Sequence, residues 1–213
     1  MFASREDAGL KLGRGLQDQG VRADLVLGLP RGGVVVAAAV ARILRLPLDV
    51  LIVRKIGHPR QREFAVGALA EHGVMVLDDV IIGSNAVIRV ELEAIIQEEK
   101  ERLKGYEARF HPGGAPALAG KAVLLVDDGL ATGATTEAAA LSVRKQGAHS
   151  IVVAAPVAST NAVQRLARVA DEVRVLCVDP GFDAVGRYYD VFAQTTDEEV
   201  LKLLRAGNVN RET

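Results

Sequence analysis

An α/β fold, with a parallel sheet core flanked by helices, is the architecture this sequence predicts, and three observations predict it. Short apolar runs rich in Val, Ile and Leu alternate along the chain with segments of helical spacing. The runs are continuous rather than interleaved with polar residues, as expected of strands covered on both faces. Twice such a run passes into a glycine-bearing turn and then a helix, at Leu27-Gly28-Leu29-Pro30-Arg31-Gly32-Gly33 and at Val126-Asp127-Asp128-Gly129-Leu130-Ala131-Thr132-Gly133. The 213 residues suffice for a sizeable core, and no shift in composition marks a second unit, so residues 1–213 are expected to form one domain.

The elements follow in order. Leu10, Leu12 and Leu16 space out a first helix that stops near Gly20. Residues 24–28 read as the first parallel strand, 33–44 as the helix behind it, and 47–54 as the second strand. Gly67 and Gly73 punctuate a loop and hairpin over 57–77. Residues 84–110 carry Ile88, Leu92, Ile95, Ile96, Leu103, Tyr106 and Phe110 at three- to four-residue spacing, the apolar face of a long helix. Glu91, Glu93, Glu98, Glu99 and Glu101, interleaved with Lys100, Arg102 and Lys104, occupy much of the remainder, which reads as a solvated face. A Pro/Gly/Ala connector at 111–120 leads to the central strand, 121–126, and its helix, 135–146, ended by Gly147. Strands at 150–155 and 172–178 flank a helix at 161–169. Thr196-x-x-Glu199 is a capping box that opens a last helix through Leu204, and the final residues are expected to fray.

Composition excludes some function classes. A net charge of −1 gives no global field that would draw the chain to nucleic acid or an anionic membrane. Residues 34–41 are apolar but too short to span a bilayer, and the N-terminus lacks the apolar stretch of a signal peptide. The one cysteine, Cys177, builds no disulfide framework and reads as a small buried hydrophobe, so a cytoplasmic location is expected. His58, His72, His111 and His149 lack metal-ligand spacing and read as surface residues. Asp78-Asp79 is an acid pair with no small-residue turn after it, and reads as a loop edge.

The richest segment is Val123-Leu124-Leu125-Val126-Asp127-Asp128-Gly129-Leu130-Ala131-Thr132-Gly133-Ala134-Thr135. Strand, small-residue turn and helix N-terminus make an anion site, where amides converge and the helix dipole favours negative charge. Gly133 and the alanines leave a phosphate room to approach the backbone. Two carboxylates beside a phosphate pocket would repel a bare phosphate. They suit a ligand that also brings hydroxyls to donate, or a hard cation such as Mg2+. A ribose 5-phosphate with a metal meets both demands.

That ordered string resembles the ribose-phosphate loop of the type I phosphoribosyltransferases, which bind 5-phosphoribosyl-1-diphosphate (PRPP). Pro30-Arg31-Gly32-Gly33 is similar to the family's diphosphate loop, and the resemblance implies a cis peptide between Pro30 and Arg31. Arg54-Lys55 is similar to the basic pair that adenine-type members set against the diphosphate. Gly181-Phe182-Asp183-Ala184-Val185-Gly186-Arg187-Tyr188-Tyr189 resembles the base-binding stretch of 6-oxopurine members, and two readings of it stand: Phe182 stacks on a planar acceptor, or Phe182, Tyr188 and Tyr189 pack under a loop. The resemblance implies a small hood region beside the sheet, with the long helix as an insertion. It implies Mg2+-dependent phosphoribosyl transfer from PRPP to a nucleobase-like acceptor. Asp127 and Asp128 would hold ribose hydroxyls and the metal. Ala131, Thr132, Gly133, Ala134 and Thr135 would grip the 5-phosphate. Arg31, Gly32, Gly33, Arg54 and Lys55 would face the diphosphate, and Phe182 the acceptor. Asp127, Asp128 and Lys55 are the candidate catalytic residues; a homodimer is a further expectation. Two departures stand out: Ala131, as in adenine-type members, occupies the place of the aspartate that handles the base proton in 6-oxopurine enzymes, and no clear lysine follows residues 150–155 to read a 6-oxo group. The alternative is therefore a PRPP-sensing regulatory protein of the same fold without turnover.

Overall fold

The chain enters its sheet from helix α1 (Arg5–Asp18), whose start is fixed by Ser4 accepting from the Asp7 N–H. The structure, a computed structural model, describes residues 1–78, 82–83 and 86–209, without the side chains of 63, 86–88 and 208–209. Asp79, Ser84, the Ile88 side chain and the last four residues, all named in the sequence reading, lie outside the described residues.

Five parallel strands make the core: β1 (Leu25–Gly28), β2 (Leu48–Val50), β6 (Ala122–Val126), β7 (Ser150–Ser159) and β8 (Glu172–Asp179), in spatial order β2-β1-β6-β7-β8. Their alternate residues serve two layers. Val26, Leu124, Val126 and Val152 pack with Leu12 and Leu16 of α1, Val36 and Val40 of α2 (Gly32–Leu44), and Val200 and Leu204 of α6 (Asp197–Val209). Leu25, Leu27, Val123, Leu125, Ile151 and Val153 pack with Ala138, Ala139 and Val143 of α4 (Ala134–Lys145) and Leu166 of α5 (Thr160–Leu166). Both faces are covered over β1, β6 and β7, which is why those three strands read as near-continuous apolar runs. The capping box forms as expected: Glu199 N–H donates to Thr196 Oγ1, and Thr196 N–H to Glu199 Oε2.

The hood is a three-stranded antiparallel sheet, β3 (Val53–His58), β4 (Gln61–Ala70) and β5 (Val74–Leu77), followed by the long helix α3 (Ala86–Phe110). Here the structure corrects the sequence reading. Residues 47–54 are not one strand. The parallel strand stops at Val50, and Val53 already belongs to the hood. Leu51 and Ile52 are buried too, so the apolar run continues across the junction and hides it. β7 runs on to Ser159, past its pairing with β6, because β8 accompanies it to Asp179. The helix expected over 161–169 is the shorter α5. Three side chains also move. Cys177 is exposed on β8, an edge strand with one outer face. His111 is buried, its side chain 6% exposed between Asp49 and Glu71. Glu99, read as solvated, is 5% exposed because β3 packs against its side of α3.

Among the described residues, no helix is long and apolar enough to cross a membrane.

Candidate functional site

The spatial order puts β1 beside β6, although β1 leads on to β2 at one edge and β6 to β7 on the other side. Connections therefore diverge between these two strands, and a crevice opens at their carboxyl ends, the usual ligand position in open parallel sheets. Both glycine-bearing turns sit there. Leu27 pairs with Leu125 and Gly28 with Val126, and Leu29 N–H donates to Val126 O at 3.0 Å. The Pro30–Arg31 peptide is cis. A Cβ on Gly32 would lie 2.1 Å from Asp128 Oδ2, and one on Gly33 2.8 Å from Asp127 Oδ1. The two glycines are thus what lets the first turn lie against the acid pair.

Each acid has its own surroundings. Asp127 Oδ1 accepts the Asp128 N–H at 2.8 Å, and its Oδ2 accepts from Thr136 Oγ1 at 3.5 Å. Asp128 Oδ2 accepts Arg5 Nε–H at 2.7 Å, and the Tyr189 hydroxyl donates to the Asp128 carbonyl oxygen at 2.5 Å. Burial, then the neighbouring Asp128 charge, pushes the Asp127 carboxyl well above the ordinary range. Burial also raises Asp128, against the pull of Arg5. An acid pair with one resident guanidinium leaves negative charge to be offset by a bound cation or by donated hydroxyls. These hard oxygens suit Mg2+, which takes one or two carboxylates together with a ligand's phosphates.

The small-residue turn is held from below by the extension of β7. Leu130 N–H donates to Val157 O, Ser159 N–H to Leu130 O, and Ser159 Oγ to Ala131 O at 2.6 Å. Gly133 caps α4 in the left-handed region (φ +74°), which reverses the chain and aims the helix N-terminus at the crevice. Ala131 and Thr132 are exposed, and Thr135 faces a neighbouring cleft.

That cleft, of about 430 Å³, is lined by Pro30, Thr135, Arg54, Lys55, Arg62, Glu99 and Arg102 among others. It joins both turns to the hood. Arg54 and Lys55 therefore reach the crevice from within β3, not from the end of a core strand as the sequence suggested. Arg54 Nε donates to Glu99 Oε2 at 2.8 Å, and its guanidinium lies 5.4 Å from the Tyr106 ring centre. Glu99 also accepts from Arg102 at 2.9 Å. Arg62, Arg102, Glu99 and Arg5 were missed by the sequence reading. For α3 the available signal was Glu99 and Arg102 at i,i+3 beside an apolar stripe. Arg5 gave none.

Of the expected site residues, Arg54, Lys55 and Thr135 line this cleft, the acid pair and the rest of the two turns lie in the crevice beside it, and Arg31 and Phe182 are engaged elsewhere. The Arg31 guanidinium points to Asp197 Oδ1 on α6, 3.9 Å away. Phe182 stacks on Tyr188, ring centres 5.3 Å apart, and the Tyr188 hydroxyl donates to Asp179.

The family model of the phosphoribosyl transferase domain matches residues 8–190. Two Mycobacterium tuberculosis proteins, from strains CDC 1551 and H37Rv, are provisionally named phosphoribosyl transferases. Each is 42% identical over 205 residues, covering 96% of this chain and 46% of the relative. The chain thus spans about half the length of these relatives. The crystal structure of TT1426 from Thermus thermophilus is 44% identical, with a TM-score of 0.77 over 95% of this chain and 97% of that one.

Proposed function

This chain belongs to the phosphoribosyl transferase domain family, and from that premise we propose that it transfers the phosphoribosyl group of PRPP to a nucleobase-like nitrogen acceptor, releasing diphosphate. One observation carries the reading: the acid pair and the small-residue turn share the crevice between β1 and β6 with a basic cleft beside them.

Each residue type has a task that follows from its chemistry. The amides of Ala131 to Thr135, with the Thr132 and Thr135 hydroxyls, hold the 5-phosphate at the α4 N-terminus. Asp127 and Asp128 accept the ribose hydroxyls, which fixes C1 relative to the cleft. Arg54 and Lys55, with Arg62 and Arg102, face the diphosphate. Arg31 reaches it by exchanging its 3.9 Å approach to Asp197 for the stronger charge. As the C1–O bond breaks, both electrons leave with the diphosphate, the acceptor nitrogen supplies the pair for the new C1–N bond, and the proton that nitrogen sheds passes to the departing diphosphate. Positive charge on the ribosyl carbon and negative charge on the leaving group are met by groups already in place, so the catalysis is electrostatic and positional. Asp127 and Asp128 would hold Mg2+ together with oxygens of the donor, and the ion would offset charge on the departing diphosphate. Phe182 offers a ring for a planar acceptor once it parts from Tyr188.

Ala131 favours a second reading. Its methyl group stands where a proton-accepting carboxylate would serve an acceptor N–H, which suits PRPP sensing without turnover. One assay decides between them: diphosphate release from PRPP with Mg2+ across a panel of purine, pyrimidine and other nitrogen acceptors. Transfer predicts release with at least one acceptor. PRPP binding with no release for any of them supports sensing.

A further inference from the structure

We propose that Arg5 is a positioning residue of this site, one that fixes the orientation of the Asp128 carboxylate and so makes the pocket selective for a sugar phosphate with its ring hydroxyls intact. The proposal rests on the donor-binding reading above. Arg5 opens α1 and lies 123 positions from Asp128 in sequence, yet its Nε donates to Asp128 Oδ2 at 2.7 Å. Its Nη1 donates to Ala193 O at 2.7 Å, and its guanidinium carbon sits 3.7 Å from the centre of the Phe192 ring. Two hydrogen bonds at fixed angles and one stacked face leave the fork a single orientation. The side chain is 12% exposed, so water does little to loosen it.

Asp128 is gripped from behind as well. The Tyr189 hydroxyl donates to its carbonyl oxygen, and the Tyr189 ring packs against Phe2, centres 5.5 Å apart. The first residues of the chain and the stretch around Tyr189–Ala193 thus form a bracket on the second acid. Arg5, Phe2, Phe192 and Ala193 all fall outside residues 8–190. Apart from Tyr189, the bracket is therefore built by chain lying beyond the matched family pattern.

The consequence is geometric. A carboxylate on its own turns broadly about χ2. With Oδ2 committed to Arg5, Oδ1 is left as the accepting oxygen, aimed in one direction. A hydroxyl placed there makes a bond to a charged acceptor without first ordering it. The 5-phosphate, held by the amides of Ala131 to Thr135 further along the same turn, gains nothing from Arg5. Selectivity among sugars, rather than affinity for phosphate, is what Arg5 governs.

Calorimetric titration of the whole chain with ribose 5-phosphate, 2-deoxyribose 5-phosphate and inorganic phosphate tests this. The wild-type protein is expected to prefer ribose 5-phosphate over its deoxy analogue by about tenfold, the worth of one hydrogen bond to a charged group. Arg5→Gln is expected to lose most of that preference while holding inorganic phosphate within about twofold of wild type. Equal loss for all three ligands would make Arg5 a mere fastening for α1 and overturn the proposal, as would an unchanged ratio. Phe192→Leu removes only the ring under the guanidinium. It is expected to lower the ratio in the same direction, and it serves if Arg5→Gln fails to fold; an unchanged ratio there counts equally against the proposal. A wild-type protein that binds the ribose phosphate without preference sinks this inference alone. One that binds neither sugar phosphate sinks the donor reading and this inference together.

Discussion

Gly32 is the residue on which the two turns most depend. Any side chain there would collide with the Asp128 carboxylate, 2.1 Å from the place its Cβ would take, and with Arg5 Nε at 2.6 Å. Gly32→Ala is therefore expected to weaken PRPP binding by at least about tenfold, because the acid must turn away and its bond to Arg5 must break. Fluorescence or calorimetric titration would show it, and near-wild-type binding would mean the acid pair is not where the sugar sits. Asp128→Asn should cost as much. Glu101→Gln, on the exposed side of α3 where Glu101 accepts from Gln97 and Lys104, should cost nothing measurable. At this scale the sequence was legible wherever chemistry is local: an acid pair followed by Thr-Gly carries its own meaning. It was silent where a partner comes from far along the chain. Nothing near His111 announces Asp49 and Glu71, and nothing near Asp128 announces Arg5.

Among the elements, the passage from core sheet to hood is the part sequence periodicity could not divide. Leu51 N–H still donates to Gly28 O, but Ile52 turns to the hood, its N–H donating to Glu71 Oε1 at 2.9 Å while Glu71 N–H donates to Ile52 O. Glu71 seals that joint. Ser142 Oγ of α4 donates to its carbonyl oxygen, and His111, following α3, approaches its carboxylate at 3.6 Å. Burial pushes the Glu71 carboxyl up to about 7. Burial alone would lower His111, but its bond to Asp49 and the charges of Glu71, Asp49 and Glu107 outweigh it and hold it above its usual value. The sign is the same for both groups. Between its unfolded value and about 7, Glu71 keeps a proton in the folded state that the unfolded chain has lost. His111 likewise binds its proton more tightly when folded. Stability from this joint is thus fully present in mild acid and declines as pH rises through neutrality. Glu71→Gln removes the ionisation and should leave stability near wild type at pH 5. By pH 8 the variant should gain on wild type, by at most roughly 3 kcal/mol. Urea unfolding at the two pH values checks this, and a variant that falls further behind at pH 8 would contradict it. For α6, Thr196→Ala removes one half of the capping box and should cost about 1 kcal/mol of stability in the same assay.

For the whole molecule, the decisive feature is that β1 and β6 are neighbours while their connections diverge. The order of strands, two turns and a central acid pair could be read from the chain because parallel strands covered on both faces leave apolar runs of unmistakable kind. The placement of the hood over the crevice could not. It depends on Val53, Ala68 and Ala70 of the hood packing with Ala138, Ala139 and Val143 of α4, residues far apart in the chain. The central claim is that one sugar bearing phosphates at both ends bridges the two turns, with the tandem acids between. Calorimetric titration of PRPP in the presence of Mg2+ into the wild-type chain and into Asp127→Asn/Asp128→Asn tests it most directly. A saturable one-site isotherm for the wild type, weakened by about tenfold or more in the double variant, is the predicted result. No heat in the wild type, or the same isotherm in both, would contradict it.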